Sequence, residues 1–174
     1  MTLINRSFST TELLKGVQVL VIDNDRDSRE IYRALLQGCG ADIVTCVSIE
    51  ESLTVFDWLL PHVLLCELRF IGESIETLVT KLNDLERNGG QHIPAIAITS
   101  WINDSLAQLI NTGFGGYLLK PIDLDELVSM IRRLVRAKKT KVLSHRSALE
   151  AKLGVKRLAI ARASKELAAF YPSP

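Results

Sequence analysis

The stretch GYLLKPIDLDEL, residues 116–127, decides the fold more than any other part of this 174-residue chain. It begins with the short apolar run GYLL, which is typical of a buried strand. Lys120 and Pro121 follow, and Asp123 then precedes Glu126 by three residues, the spacing of a helix-capping pair. The stretch therefore predicts a strand that ends at a lysine and leads directly into a helix.

Four more apolar runs precede this stretch, and segments with helical spacing of apolar residues alternate with them. The five predicted strands are residues 17–22, 41–47, 63–66, 94–98 and 116–119. The first predicted helix contains Ile31, Leu35 and Leu36, and the second runs from Ser48 to Pro61. The third and fourth span residues 74–87 and 103–112, and the fifth begins at Asp123. Strands that alternate with helices in this way indicate an α/β fold with a parallel sheet covered on both faces.

Charge divides the chain into an acidic body and a basic end. Residues 1–131 carry 9 basic and 18 acidic side chains, whereas residues 132–174 carry 12 basic and 2 acidic ones. We predict a lead segment over 1–15, a globular domain over 16–137 and a basic helical extension over 138–174. The apolar stripe of this extension is opposed by a basic side that contains Lys152, Lys156, Arg157, Arg162 and Lys165.

Composition and motifs exclude several classes of protein. No apolar run approaches the roughly 18 residues that a membrane span requires, and no secretory signal is visible. The three cysteines, Cys39, Cys46 and Cys66, lack metal-ligand spacing, which favours buried free thiols and a cytoplasmic location. Phosphate-binding glycine loops and nucleophile motifs are absent, so we do not expect an enzyme.

Polar side chains follow four of the predicted strands where each strand ends. Ligands of open α/β sheets bind beyond the carboxyl ends of the strands, so these side chains form a candidate site. They are Asp23, Asn24 and Asp25 after the first strand, Glu67 after the third, Thr99 after the fourth and Lys120 after the fifth.

This constellation resembles the receiver domain of two-component response regulators over roughly residues 16–136. The stretches that carry the resemblance are VLVIDND, PHVLLCEL, PAIAITS and GYLLKPIDLDEL, and AIAITS and GYLLKPID are similar to cyanobacterial receivers. The resemblance implies a flavodoxin-like, doubly wound five-stranded sheet in the order 2-1-3-4-5. It also implies an aspartate after strand 3 that accepts a phosphoryl group, acids after strand 1 that help to hold Mg²⁺, and a hydroxyl and a lysine that contact phosphoryl oxygens.

The sequence departs from that pattern at the acceptor itself. Glu67 occupies the acceptor position, Asn24 replaces the second metal-binding acid, and Arg69 stands where a backbone carbonyl normally faces the metal. These changes lower the expected affinity for Mg²⁺, so no cofactor is predicted, and Asp23 and Glu67 are the ligands of any ion that still binds. The positions that match the family are Asp23, Thr99, Tyr117 and Lys120.

We therefore interpret the chain as a pseudo-receiver that no longer depends on phosphorylation. One hypothesis is that Glu67 mimics a phosphorylated aspartate and pairs with Lys120, with Thr99 nearby; the other is that Glu67 is merely tolerated. Tyr117 occupies the position of the aromatic switch of receivers, and it is equally well explained as a half-buried strand residue.

The predicted role is signalling by protein contact within a two-component system. The resemblance implies a partner surface made of helix 4, strand 5 and helix 5, with a sensor kinase, another signalling protein or a second copy as its partner. Two alternatives remain at this point: a working phosphoacceptor, and a nucleic-acid-binding adaptor that acts through the basic tail.

Overall fold

The computed structural model describes residues 12–90, 92–101, 107, 108, 110 and 113–138. The chain divides into two compact units, Met1–Arg136 and Ala137–Pro174, and the described residues belong to the first unit except for 137 and 138. Apart from its first residue, the predicted basic extension lies outside the described residues, and so do its five singled-out lysines and arginines.

Five parallel strands form one sheet in the order β2-β1-β3-β4-β5, which confirms the predicted flavodoxin-like topology. The strands are β1 (Gln18–Ile22), β2 (Asp42–Cys46), β3 (Val63–Glu67), β4 (Ala95–Thr99) and β5 (Gly116–Leu119). β1 and β2 are one and two residues shorter than predicted, β3 is one residue longer, β4 is shifted by one residue and β5 matches its predicted range.

Helices connect the strands, and polar side chains cap the N-termini of the first three helices. The helices are α1 (Arg26–Gly38), α2 (Ile49–Val55) and α3 (Ile75–Gly89), helical residues at 107, 108, 110 and 113 (α4), and residues 124–138 (α5). Asp25, Ser48 and Ser74 cap the first three helices by accepting hydrogen bonds from backbone N–H groups of the first turn. α3 ends at Gly90, whose left-handed backbone (φ 63°) suits glycine.

The sheet is buried on both faces, and β1 shows how. Leu20 and Ile22 pack in the core beneath α2 and α3, whereas Val19 and Val21 pack in the core beneath α1 and α5. Successive side chains of a strand point to opposite faces, so a strand buried on both sides must be apolar throughout. This is why the continuous apolar run predicts the strand correctly.

Strand register brings the polar positions to one edge. Ile22 pairs with Cys66 across β1 and β3, so the residues that follow them, Asp23 and Glu67, are neighbours. Thr99 pairs with Leu119 across β4 and β5, and the backbone N–H of Lys120 donates to the Thr99 carbonyl at 2.8 Å. The carboxyl edge of the sheet therefore collects the residues that the sequence predicted to converge.

The second helix is shorter than predicted. Pro61 was the expected stop, but α2 ends at Val55 and the chain turns through residues 56–58. Phe56 is still buried after the helix has ended, whereas Leu60 is exposed. The turn redirects the chain toward β3, and helical spacing no longer decides which side chains point inward.

The inward face of α1 also differs from the prediction. Ile31 is exposed, and Tyr32 and Leu36 are the buried side chains of this helix. Both Ile31 with Leu35 and Tyr32 with Leu36 have the four-residue spacing of one helical face. The rotation of α1 on the sheet selects between them, and spacing alone cannot. Of the helix predicted over residues 103–112, only 107, 108 and 110 are described, and all three are helical.

Candidate functional site

The candidate site lies at the carboxyl edge of the central strands and consists of unusually buried polar side chains. Asp23, Glu67 and Thr99 are 1%, 6% and 0% exposed. Carboxylates are seldom buried to this degree unless they are paired. Their partners therefore decide what the site can do.

Lys120 is the partner that both carboxylates share. Its Nζ lies 2.8 Å from Oε2 of Glu67 and 3.0 Å from Oδ2 of Asp23. Burial by itself would lower the pKa of Lys120, but its hydrogen bonds to Glu67 and Asp23 outweigh that effect and raise the pKa above its usual value. The lysine is thus a fixed cation that bridges two carboxylates.

Backbone N–H groups hold the remaining carboxylate oxygens. Oδ1 of Asp23 accepts from the N–H of Asp25 at 2.8 Å. Oε1 of Glu67 accepts from the N–H of Leu68 at 2.8 Å and of Arg69 at 3.3 Å. Each of the four carboxylate oxygens thus has a donor, which offsets the cost of burying two acids.

Asn24 and Asp25 take roles different from that of a shared acidic pocket. The side-chain amide Nδ2 of Asn24 donates to the backbone carbonyl of Arg69 at 3.1 Å. Asp25 is the cap of α1, and the hydrogen bonds that it accepts from Ser28 lower the pKa of its carboxyl. The structure therefore separates these residues, because Asn24 bridges two loops and Asp25 begins a helix.

Sequence reasoning missed two residues of α1 that face this site. Nη1 of Arg29 donates to the backbone carbonyl of Asp23 at 2.6 Å. Tyr32 is buried, and burial raises the pKa of its phenol to about 12, although the nearby Lys120 charge opposes the shift. Arg29 stands one helical turn after the cap Asp25, so its position in the first turns of the helix was the available signal.

Thr99 belongs to the buried site, whereas Tyr117 lies at the surface of β5. The hydroxyl of Thr99 donates to the carbonyl of Trp101 at 3.2 Å, so it turns toward its own loop. Tyr117 is 49% exposed on β5. The peptide bond between Lys120 and Pro121 is cis.

The oxygen atoms that Mg²⁺ would need as ligands are engaged by donors of the protein itself. Asn24 presents an N–H to the Arg69 carbonyl, and Lys120 with backbone donors engages Asp23 and Glu67. Within the described ranges, no group of three or more His, Cys, Asp or Glu side chains could hold a metal ion.

Comparison with known proteins identifies the family. The model of the response regulator receiver domain matches residues 19–132, which is more than half of the sequence. The chain therefore belongs to the response regulator receiver family of two-component signalling, as the strand-end residues had indicated.

Two curated relatives have the same identity to this chain but differ in how much of their own length the match covers. The "Uncharacterized 14.6 kDa protein in sodA1 3'region" of Leptolyngbya boryana is 28% identical over 123 residues, which cover 70% of this chain and 92% of that protein. "Transcriptional regulatory protein ZraR" of Escherichia coli K12 is 28% identical over 124 residues, which cover 68% of this chain but 26% of that protein. The chain thus spans about a quarter of the length of this second relative.

Solved structures agree on the fold. A two-component response regulator from Clostridium difficile has a TM-score of 0.61 at 22% identity, over 69% of this chain and 96% of that one. A second structure, a signal receiver domain from Vibrio parahaemolyticus, has a TM-score of 0.64 at 19% identity, over 74% of this chain and 96% of that one. Among the helices that the structure describes, none has the length and apolar character that crossing a membrane would require.

Proposed function

We propose that this receiver signals through protein contacts without being phosphorylated and without Mg²⁺. The observation that carries the proposal is the shared ion pair, in which Lys120 binds Glu67 and Asp23 at once. A phosphoacceptor must present a free carboxylate oxygen in line with the phosphorus, and small displacements of such a group slow the reaction strongly. Glu67 instead has both oxygens engaged and is almost completely buried.

The same contacts favour Glu67 as a lock over Glu67 as a mimic of phosphoaspartate. Mimicry would be expected to engage the hydroxyl of Thr99, yet this hydroxyl donates to Trp101. Tyr117 remains half exposed on β5. We therefore propose that the ion pair of Glu67 and Lys120 holds the domain in a single conformation, in which Tyr117 is half exposed at the surface. No phosphoryl group is needed to maintain this conformation.

The outer part of β5 is the surface that we propose for partners. Tyr117 and Leu119 are 49% and 50% exposed, and Leu124 at the start of α5 is exposed as well. Apolar side chains that are half exposed on one edge strand are suited to cover by another protein. A signalling protein or a second copy of this chain would bind here, and the buried free cysteines are consistent with a cytoplasmic setting. We do not assign the chain an enzymatic activity.

A phosphodonor experiment tests the proposal directly. The wild type and the double variant Asn24→Asp/Glu67→Asp are incubated with labelled acetyl phosphate and Mg²⁺. The wild type is expected to take up no stable label, whereas the double variant regains an acid pair and an acceptor of the usual length and becomes labelled. The variant Asn24→Asp/Glu67→Asn is the matched control, because it restores the second acid without an acceptor. Stable labelling of Glu67 in the wild type would favour the working phosphoacceptor instead.

The basic tail is the basis of the second function considered from the sequence. Twelve basic and two acidic side chains over residues 132–174 would favour contact with phosphate backbones. A salt-dependent gel shift that disappears when residues 138–174 are deleted would establish nucleic-acid binding. We propose the protein-contact role first, because it is supported by the contacts of the site as well as by the exposed apolar edge.

A further inference from the structure

The loop between β3 and α3 is tied to the loop between β1 and α1 by one side chain. Nδ2 of Asn24 donates to the carbonyl oxygen of Arg69 at 3.1 Å, across 45 positions of sequence. The N–H of Arg69 in turn donates to Glu67 at 3.3 Å. Arg69 is therefore held at both its N–H and its carbonyl group.

The far end of the same loop is held by Glu73. Its Oε2 accepts from the N–H of Ile49 at 2.5 Å and from the N–H of Glu50 at 3.2 Å, at the start of α2. Between these anchors, Gly72 takes a positive φ of 78°, a conformation that glycine adopts without strain. The segment from Arg69 to Glu73 is thus fixed to two separate elements by N–H donors of the protein.

The chemistry of the Asn24 contact depends on its being an amide. A carboxylate at this position would place an oxygen against the carbonyl oxygen of Arg69, and two acceptors repel each other unless a cation lies between them. The amide supplies a proton where such an arrangement needs a cation. The contact therefore performs the cross-linking of two loops that a divalent ion performs when both partners are oxygens.

We propose that Asn24 is a positioning residue that replaces a bridging divalent cation, and that its hydrogen bond to Arg69 fixes the β3–α3 loop without metal. The inference deepens the proposed function and rests on it in one respect, namely that the site needs no Mg²⁺. It adds one specific contact, the hydrogen bond from the Asn24 side chain to the Arg69 carbonyl, as the interaction that holds the loop.

Thermal unfolding in EDTA and in millimolar Mg²⁺ tests the inference with three variants. Asn24→Ala removes the bridge and should lower the melting temperature by about 2–6 °C in both buffers. Asn24→Asp should lose as much in EDTA and recover at least half of it in Mg²⁺, because the ion can join two oxygens. Asn88→Ala changes an exposed asparagine near the end of α3 and serves as the matched control. The wild type should melt at the same temperature in EDTA as in Mg²⁺, and this control should likewise show no difference between the two buffers.

Hydrogen exchange of the loop amides supplies a local measurement. Asn24→Ala should speed the exchange of the Arg69 and Glu73 backbone amides several-fold, whereas Asn88→Ala should leave them unchanged. The inference is overturned if Asn24→Ala behaves like Asn88→Ala, if Mg²⁺ does not rescue Asn24→Asp, or if Mg²⁺ stabilises the wild type. Labelling of the wild type by acetyl phosphate, with the Asn24 results as expected, would overturn the proposed function alone.

Discussion

The strand-end site and the outer edge of β5 differ in which kind of side chain is buried and which is exposed. At the site, two acids are buried and every carboxylate oxygen has a donor. On β5, Tyr117 and Leu119 are half exposed, although they are apolar. The acidic side chains of the site are thus buried, whereas the apolar side chains of β5 are exposed at the surface. The acids of the site are engaged by donors of the protein itself, whereas the side chains of β5 are open to the surroundings.

The largest expected effect comes from removing the cation of the site. Lys120→Met leaves Asp23 and Glu67 buried without their shared partner, and we expect a loss of about 3 kcal/mol in the free energy of unfolding. Lys81→Met is the control, since the salt bridge of Lys81 with Asp57 is long, at 3.6 Å, and more exposed, and surface pairs contribute at most about 1 kcal/mol. Urea denaturation measures both. Equal losses for the two variants would show that the site is no more than a surface ion pair.

Alkaline pH should weaken the same region. The folded state raises the pKa of Tyr32 from 10.0 to about 12, mainly through burial, and raises the pKa of Lys120 above 10.5. The folded protein then binds more protons than the unfolded chain. The stability that both groups contribute is therefore complete below pH 10 and falls as the pH rises toward 12.

Tyr32→Phe isolates the contribution of the phenol. Each proton bound only by the folded state gives a slope of up to about 1.4 kcal/mol per pH unit, so the variant should lose stability less steeply between pH 10 and 12. Tyr117→Phe is the matched control, because Tyr117 is half exposed. Urea denaturation at a series of pH values gives the slopes, and an unchanged slope in Tyr32→Phe would contradict the prediction.

The smallest effect on stability is expected at β5. Leu119→Asp should change the free energy of unfolding by less than about 1 kcal/mol, because the side chain is already half in water. It should, however, abolish any self-association that sedimentation detects in the wild type, since a charge would enter the apolar surface. Leu118→Asp makes the contrasting case: Leu118 is buried in the core, so this variant should unfold the domain. If Leu119→Asp were as destabilising as Leu118→Asp, the outer edge of β5 would be part of the core.

Much of the fold follows from the sequence for a simple reason. A strand buried on both faces has to be apolar at every position, so runs such as residues 17–22 are visible without an alignment. Caps are equally local: Ser48 is followed by Glu51 three residues later, as in a capping box. Ser48 accepts from the N–H of Glu51, and the Glu51 carboxylate accepts from the N–H of Val47, one residue before the cap.

The errors arise where two local patterns are equally good. Ile31 and Tyr32 both fit the stripe of α1, and only the docking of the helix on the sheet makes Tyr32 the inward residue. Leu60 has helical spacing from Phe56, but α2 ends at Val55 because the chain must turn toward β3. The contact of Asn24 with the Arg69 carbonyl leaves no pattern in the sequence, since a carbonyl is present at every residue.

The amino-acid sequence is enough to predict the class of the fold, the strand order through the family resemblance, and the set of polar residues that meet at the carboxyl edge. These depend on apolar runs and on residue types at strand ends, which are written in linear order. Only the tertiary structure decided that Lys120 binds Asp23 and Glu67 together, that Asp25 caps α1 and that Asn24 joins two loops. Such choices depend on distances of about 3 Å between residues far apart in the chain, and the register of the parallel strands is what fixes those distances.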